Sequence, residues 1–312
     1  MSVDVLGLGA AAMDIVMQCE DLPKEDGFAF IHEEKLLPGG SCANVLVTLA
    51  HLRTKAGMVA QIGDDHYGTA FKQNLNEEGV STEHLLIKKN GITLHTFISV
   101  ARLGAKSIYA HMGDSLLTLS EDDVNPQMLQ GVKVFYTDMF PGKPALKLAK
   151  LCKSAGIPIV FNLQCAVSFM ELCAVTRKDI EEMLSVCDLF VSGRDGIPGL
   201  TGSANYIEAN RIIYDKFNLP LGVITTWGDK GAYWHSREGE AKAPSFKVDA
   251  VDTTGAGDAF IGGLIHSYFI RGNSRQDSIE FANARAAINC TKIGARVKAT
   301  AEDVKNFMEL YK

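Results

Sequence analysis

The sequence predicts an α/β fold built on a mainly parallel sheet with helices on both faces. Three observations predict it. Between residues 132 and 226, short apolar runs alternate with segments of helical period, the strand–helix rhythm of a parallel sheet. The opening run, residues 3–9, is largely apolar, as a strand covered on both faces must be. The 312 residues, 46% of them hydrophobic, suffice for one large core with a small addition.

Composition narrows the function classes. A net charge of −6 without a basic run argues against nucleic acid and against anionic membrane surfaces as partners. Seven scattered cysteines with no Cys-x-x-Cys pair point to reduced thiols and a cytoplasmic setting. Residues 3–17 lack a basic flank and carry Asp14, which makes a poor signal peptide, and no apolar run is long enough to span a bilayer. With no internal repeat or low-complexity linker, residues 1–312 are expected to form a single domain.

The elements follow in order. Gly7-Leu8-Gly9-Ala10-Ala11-Ala12 has the spacing of a dinucleotide-binding fingerprint, which would imply an NAD-dependent oxidoreductase. That fingerprint needs a helix at once, and Pro23, Gly27 and the β-rich, acidic stretch before them leave little room for one. Residues 28–37 alternate loosely, like an exposed strand. Pro38-Gly39-Gly40-Ser41-Cys42-Ala43-Asn44 opens a helix with Val45, Leu46, Leu49 and Leu52 on its apolar face. The two glycines permit close backbone approach to a ligand, and Asn44 offers a donor and an acceptor. Residues 55–62 read as a strand, Gly63 to Gly68 as a turn, and a helix runs to about Gly79. Residues 93–100 and 106–112 read as two strands joined at Gly104; with 15–17 and 28–37 they predict a small second sheet over about 12–37 and 91–113. Ser120-x-x-Asp123 reads as a helix start. Strands follow at 132–137, 157–163, 188–192 and 221–226, with helices near 145–154, from Thr176 and near 205–217. A hairpin strand at 232–235, an extended run at 246–251, and helices at 274–291 and from Thr300 complete the chain.

The most specific stretch is Asp252-Thr253-Thr254-Gly255-Ala256-Gly257-Asp258-Ala259-Phe260, at the start of a helix marked by Phe260, Leu264 and Tyr268. Gly255 and Gly257 clear side chains from the helix start. The N–H groups of Ala256, Gly257 and Asp258 can then face one small anion, with the positive end of the helix dipole behind them. A carboxylate at Asp258 would repel a bound phosphate, yet suits taking a proton from a hydroxyl that attacks a phosphoryl group. Gly-x-Gly alone would be only a turn with a helix cap; two acids flanking Thr-Thr-Gly-Ala-Gly are far more specific.

This run resembles the signature of the ribokinase-like (PfkB) carbohydrate kinases, which move the γ-phosphoryl of ATP to a hydroxymethyl group of a sugar or nucleoside. Gly-Gly-x-x-x-Asn at 39–44 and Thr-x-Gly-x-x-Gly at 226–231 follow the family order, so the resemblance spans essentially the whole chain. It implies a ribokinase-like three-layer α/β/α sandwich with a small β lid over the sugar site, often used for homodimerisation. It implies Asp258 as catalytic base, Gly255, Ala256 and Gly257 as anion hole, and Asp14, Gly39, Gly40 and Asn44 as acceptor-binding residues. Asn162 starts a run similar to the Asn-x-x-Ala-Pro element of ribokinases and adenosine kinases, without its proline. Thr226, Gly228 and Gly231 would hold nucleotide, and Asn283 would line the adenine pocket. ATP and Mg²⁺ are the implied cofactors. Ser192-x-x-Asp195 stands where the family has its Asn-x-x-Glu magnesium motif; Asp195 keeps a carboxylate able to act through water. Many relatives use K⁺, here expected near Asp252, Thr254 and residues 289–294. Lys298 replaces a small hydroxyl residue there, and its ammonium could take the ion's place. The implied substrate is a small sugar or sugar acid. The alternatives are a nucleoside kinase and a catalytically weakened sugar- or nucleotide-binding protein.

Overall fold

A computed structural model describes residues 2–311. Its first third runs β1 (Val5–Leu8), β2 (Ala12–Cys19), β3 (Ile31–Gly39), α1 (Ser41–His51), β4 (Ala56–Gly63), α2 (His66–Glu77), β5 (Ser81–Lys88), β6 (His95–Ala101) and β7 (Lys106–His111). The middle runs β8 (Val134–Thr137), α3 (Gly142–Ser154), β9 (Ile159–Leu163), α4 (Val167–Leu172), α5 (Arg177–Val186), β10 (Leu189–Gly193), α6 (Ile197–Thr201), α7 (Tyr206–Phe217) and β11 (Gly222–Thr226). The end runs β12 (Ala232–Ser236), β13 (Gly239–Ala243), α8 (Ala256–Leu264), α9 (Arg275–Cys290) and α10 (Ala301–Glu309).

Nine strands form the main sheet in the order β13-β12-β11-β10-β9-β8-β1-β4-β5, parallel except for the β12 and β13 hairpin at one edge. The central strands β1, β8 and β9 are buried at every position, as strands covered on both faces require. Helices α1, α8, α9 and α10 form one packed group and α3 with α5 another. A second sheet, β3-β2-β6-β7, stands apart. Its β3 is exposed along most of its length, and Phe97, Ile108 and Tyr109 of β6 and β7 are also exposed.

Several expectations need correction. After β1 comes a strand, β2, where a dinucleotide fingerprint needs a helix, so the oxidoreductase alternative falls. Strands β5 and β13 and helices α4 and α6 were not foreseen. Ser120 and Asp123 do form a reciprocal capping box, yet only one 3₁₀ turn follows, because Asn125-Pro126 ends it. Residues 246–251 pair with no strand. The helix from Ala256 changes to a π-helix over Ile265–Ile270.

The turn before α2 joins the two sheets. Asp65 caps α2 by accepting from the Gly68 N–H at 2.8 Å. The same carboxylate accepts from the Thr93 N–H at 2.9 Å and the Thr93 hydroxyl at 2.6 Å, at the root of β6. Replacing Asp65 by Ala is expected to remove about 2 kcal/mol of stability. Urea unfolding reads this as a lower midpoint at unchanged slope; an unmoved midpoint would show the cap to be idle.

Candidate active site

The start of α8 is where the sequence motif becomes geometry. Gly255 has φ 74° and precedes the first helical residue, Ala256. A Cβ on Gly255 would lie 2.7 Å from Ala295 Cα, Cβ and O, so only glycine lets the loop after α9 close on this turn. The Ala256 N–H donates to the Thr253 carbonyl at 3.2 Å, which corrects the expectation of three free amides. Those of Gly257 and Asp258 have no protein acceptor among the described residues and lie in the first turn, where an anion is favoured.

Asp258 is the third helical residue, and its carboxylate turns back toward α1. The Ser41 hydroxyl donates to Oδ1 at 2.6 Å and the Asn44 amide donates to Oδ2 at 2.8 Å. Burial pushes its pKa up to about 6; the bonds from Ser41 and Asn44 and the charge of Arg296 act against that rise. A carboxylate poised there is ionised at neutral pH and still basic enough to accept a proton.

The acceptor-side candidates come together around the roots of β2 and β3. Asp14 on β2 is half-buried and accepts from the Thr96 hydroxyl at 2.6 Å. Burial raises its pKa, against the Thr96 bond and the Arg296 charge. A Cβ on Gly39 would fall 2.2 Å from Asp14 Oδ2, so these two sit in direct apposition. Gly40 is the N-cap residue of α1, with φ 88°. Asn44 uses both ends of its amide within the protein, because its Oδ1 accepts from Arg296 Nε at 2.9 Å.

Two adjoining cavities flank the start of α8. The smaller, about 190 Å³, is lined by Asn162, Gln164, Gly193 and Thr226 together with Gly255 to Asp258. The larger, about 490 Å³, is mostly apolar and lined by Phe246, Val248, Phe260, Asn283, Ala286, Ala287 and Cys290, with Gly228 and Gly231 at its edge. Both share Thr226, Thr253, Ala256 and Gly257, so the helix start forms their common wall. The irregular run 246–251 thus lines a cavity where the sequence suggested a strand. Asn283 spends its amide on the Ala243 and Pro244 carbonyls, each at 3.0 Å, and so fixes that wall. Asn162 donates weakly to the Tyr136 hydroxyl at 3.4 Å.

The candidate ion residues are less concentrated. Asp195 is 74% exposed, pairs with Arg194 at 3.6 Å and lines neither cavity. The Ser192 hydroxyl turns inward to the Leu163 and Gly193 carbonyls. Among the described residues no three His, Cys, Asp or Glu side chains cluster as a metal cage. A hydrated Mg²⁺ held mainly by phosphate oxygens and water would need no such cage, and Asp195 would act on it through water. Asp252 accepts from the Thr254 N–H and hydroxyl and from the Gly294 N–H. The Asn289 amide donates to the Thr254 carbonyl at 2.9 Å, whereas Lys298 is exposed between buried Val297 and Ala299. A neutral amide therefore makes the link that sequence reasoning gave to the lysine ammonium.

Four residues at this site escaped sequence reasoning. Ser41 and Arg296 act on Asp258 and Asn44. Asp138, at the end of β8, accepts from the N–H groups of Ala10, Cys42 and Phe140, and Gln164 donates to it at 3.3 Å. Burial pushes Asp138 up to about 7, with the Asp258 charge adding to the rise. Ser41 and Gln164 lay inside runs already singled out; Arg296 and Asp138 carry no local signal.

Comparison with known proteins completes the picture. A family model described as "pfkB family carbohydrate kinase" matches residues 3–302. An "ATP-dependent ribose-1-phosphate kinase" of Halopiger xanaduensis is 30% identical over 98% of both chains. "Fructokinase-2" of Zea mays is 28% identical over 96% of this chain and 93% of its own. A solved E. coli structure, "a putative Ribokinase II in complex with ATP and Mg+2", superposes with a TM-score of 0.86 at 19% identity over 99% of this chain and 100% of the other, and so shares the fold. The chain belongs to the pfkB family of carbohydrate kinases.

Proposed function

We propose that this protein moves the γ-phosphoryl group of ATP to a hydroxymethyl group of a small sugar or sugar acid in the cytoplasm. One observation supports this above all: a half-buried carboxylate and two unspent amides share one helix turn, at the wall between two cavities. The larger, apolar cavity suits a nucleobase and ribose, and the smaller suits the phosphoryl group in transit. Asp14, Gly39, Gly40 and Asn44 would place the acceptor, and Asp258 would orient its hydroxyl and take the proton as the new P–O bond forms. The Gly257 and Asp258 N–H groups would hold the transferred charge where water is excluded. Mg²⁺, when bound, would neutralise phosphate charge.

The names of the relatives, ribose-1-phosphate kinase and fructokinase, support a sugar over a nucleoside. We further propose one domain over 1–312, with a lid formed by the smaller sheet and a second copy of this chain as its partner; exposed Ile31, Phe97, Ile108 and Tyr109 support that pairing. Among the described residues no helix is long and apolar enough to cross a membrane.

The test is ADP release with sugars, sugar acids, sugar phosphates and nucleosides in turn, alongside thermal shift with an ATP analogue. Turnover with nucleosides alone would favour a nucleoside kinase, and binding without turnover a weakened relative. With the true acceptor, Asp14→Ala is expected to raise the acceptor KM by about 10²-fold while leaving that for ATP nearly unchanged, since a lost bond to a charged group is worth about 1.5–3 kcal/mol. Equal effects on both substrates would remove Asp14 from the acceptor site. The active form of Asp258 is the ionised one, so kcat is expected to fall as pH drops through about 6.

A further inference from the structure

Arg296 leaves the Gly294-Ala295 loop and reaches across the site. Nε donates to Asn44 Oδ1 at 2.9 Å, Nη2 donates to the Gly39 carbonyl at 2.9 Å, and Nη1 donates to Asn74 Oδ1. One guanidinium thus ties the end of β3 to α1 and α2. An asparagine amide has one accepting end and one donating end. A guanidinium only donates, so the carbonyl of Asn44 must face Arg296 and its NH₂ must face Asp258. The reversed amide would set NH₂ against a cation and oxygen against a carboxylate.

We propose that Arg296 is a positioning residue for phosphoryl transfer: it locks the amide of Asn44, and Asn44 in turn aims Asp258 at the acceptor hydroxyl. The proposal rests on Asp258 being the base. The groups facing that carboxylate are Ser41 and Asn44 from α1, Cys42 beside them, Asp138 and Tyr136 from the end of β8, and Arg296. Burial keeps Cys42 and Tyr136 neutral. Glu78 and Asp14 also act on Arg296, whose own pKa burial lowers to about 10 against the pull of these acids and Asp258. Arg296 is therefore the favourable charge in this set, and Asp138 the opposing one.

The rival explanation is a bolt that only holds the lid root against the helices. Kinetics across the acid range, with Arg296→Met, Arg296→Lys, Asn44→Ala and the Met/Ala double variant, separates the two. Arg296→Met is expected to lower kcat by about 10²-fold, the cost of misplacing a reacting group. The acid limb of kcat should move to higher pH, because losing a nearby cation raises a carboxylate pKa. Arg296→Lys should hold the limb in place yet recover only part of the rate, since an ammonium lacks the planar fork. In the Asn44→Ala background Arg296→Met should add little. An unmoved limb in a folded Arg296→Met protein that still binds an ATP analogue would overturn the proposal, as would costs that multiply in the double variant. If the Met variant fails to fold, Arg296→Lys at full rate would do the same. Full turnover by Asp258→Asn would instead reject the base itself, a separate failure.

Discussion

Replacing Asp258 by Asn is expected to lower kcat by about 10²–10⁴-fold, the usual loss when a positioned base is removed. The change is nearly isosteric and leaves the two cavities and the helix start in place, so KM for ATP and acceptor should move only a few-fold. Both contacts can be kept, since the new amide oxygen can accept from the Asn44 NH₂ while the new NH₂ donates to the Ser41 hydroxyl, which accepts as well as donates. Tm is expected to hold or rise slightly, because a charge is no longer buried. The decline of kcat near pH 6 should vanish along with the carboxylate that causes it. Single-turnover rates with saturating ATP and acceptor give the cleanest reading, and a rate within a few-fold of the unmutated enzyme would exclude Asp258 as the base.

Gly255→Ala is the second large effect. The position has φ 74°, and its new Cβ would lie 2.7 Å from backbone atoms of Ala295, which cannot swing aside as a side-chain tip can. Left-handed strain and overpacking each cost about 1–3 kcal/mol, so about 3 kcal/mol of stability should be lost together. Any relief shifts the start of α8 and with it the Gly257 and Asp258 amides, and a shift near 1 Å costs about 10²-fold in rate. Gly257→Ala is the control: its Cβ meets open space in the protein, so stability should hold while the phosphoryl path is crowded. Urea unfolding and kcat for both variants decide the matter. Normal stability and rate in Gly255→Ala would mean that the turn is not held as described.

What could be read from the sequence was what is local in it. Gly255 to Asp258 and Gly39 to Asn44 are consecutive residues whose conformation and chemistry are set within one turn, so their motifs announced the site. The βα rhythm showed the sheet, because buried strands are apolar at most positions. Edge strands obey no such rule: β5 opens on four polar residues, Ser81 to His84, before Leu85, Leu86 and Ile87, and β13 reads Gly-Glu-Ala-Lys-Ala without one β-branched residue. Both gain their order from a neighbouring strand. Residues 246–251 carry strand-forming side chains, yet these face a cavity wall. Arg296 sits in a short polar loop that looks like any surface segment, and Asp138 is a lone acid after a strand. Their meaning lies in partners far along the chain.

That distance has a consequence for synthesis. Ser41 meets Asp258 across 217 positions, and Arg296 meets Asn44 across 252. Chains are made from the N-terminus at about 5–20 residues per second, so Asn44 waits roughly 10–50 s for its guanidinium. Over most of that interval the nascent chain holds the glycine turn and the lid strands without the Gly255–Asp258 turn, which is made shortly before Arg296. Contacts of such long range form late, once the entropy of closing the loop can be offset by many contacts at once. The contacts around Asp258 are therefore expected to close together late in folding, when the loop after α9 docks.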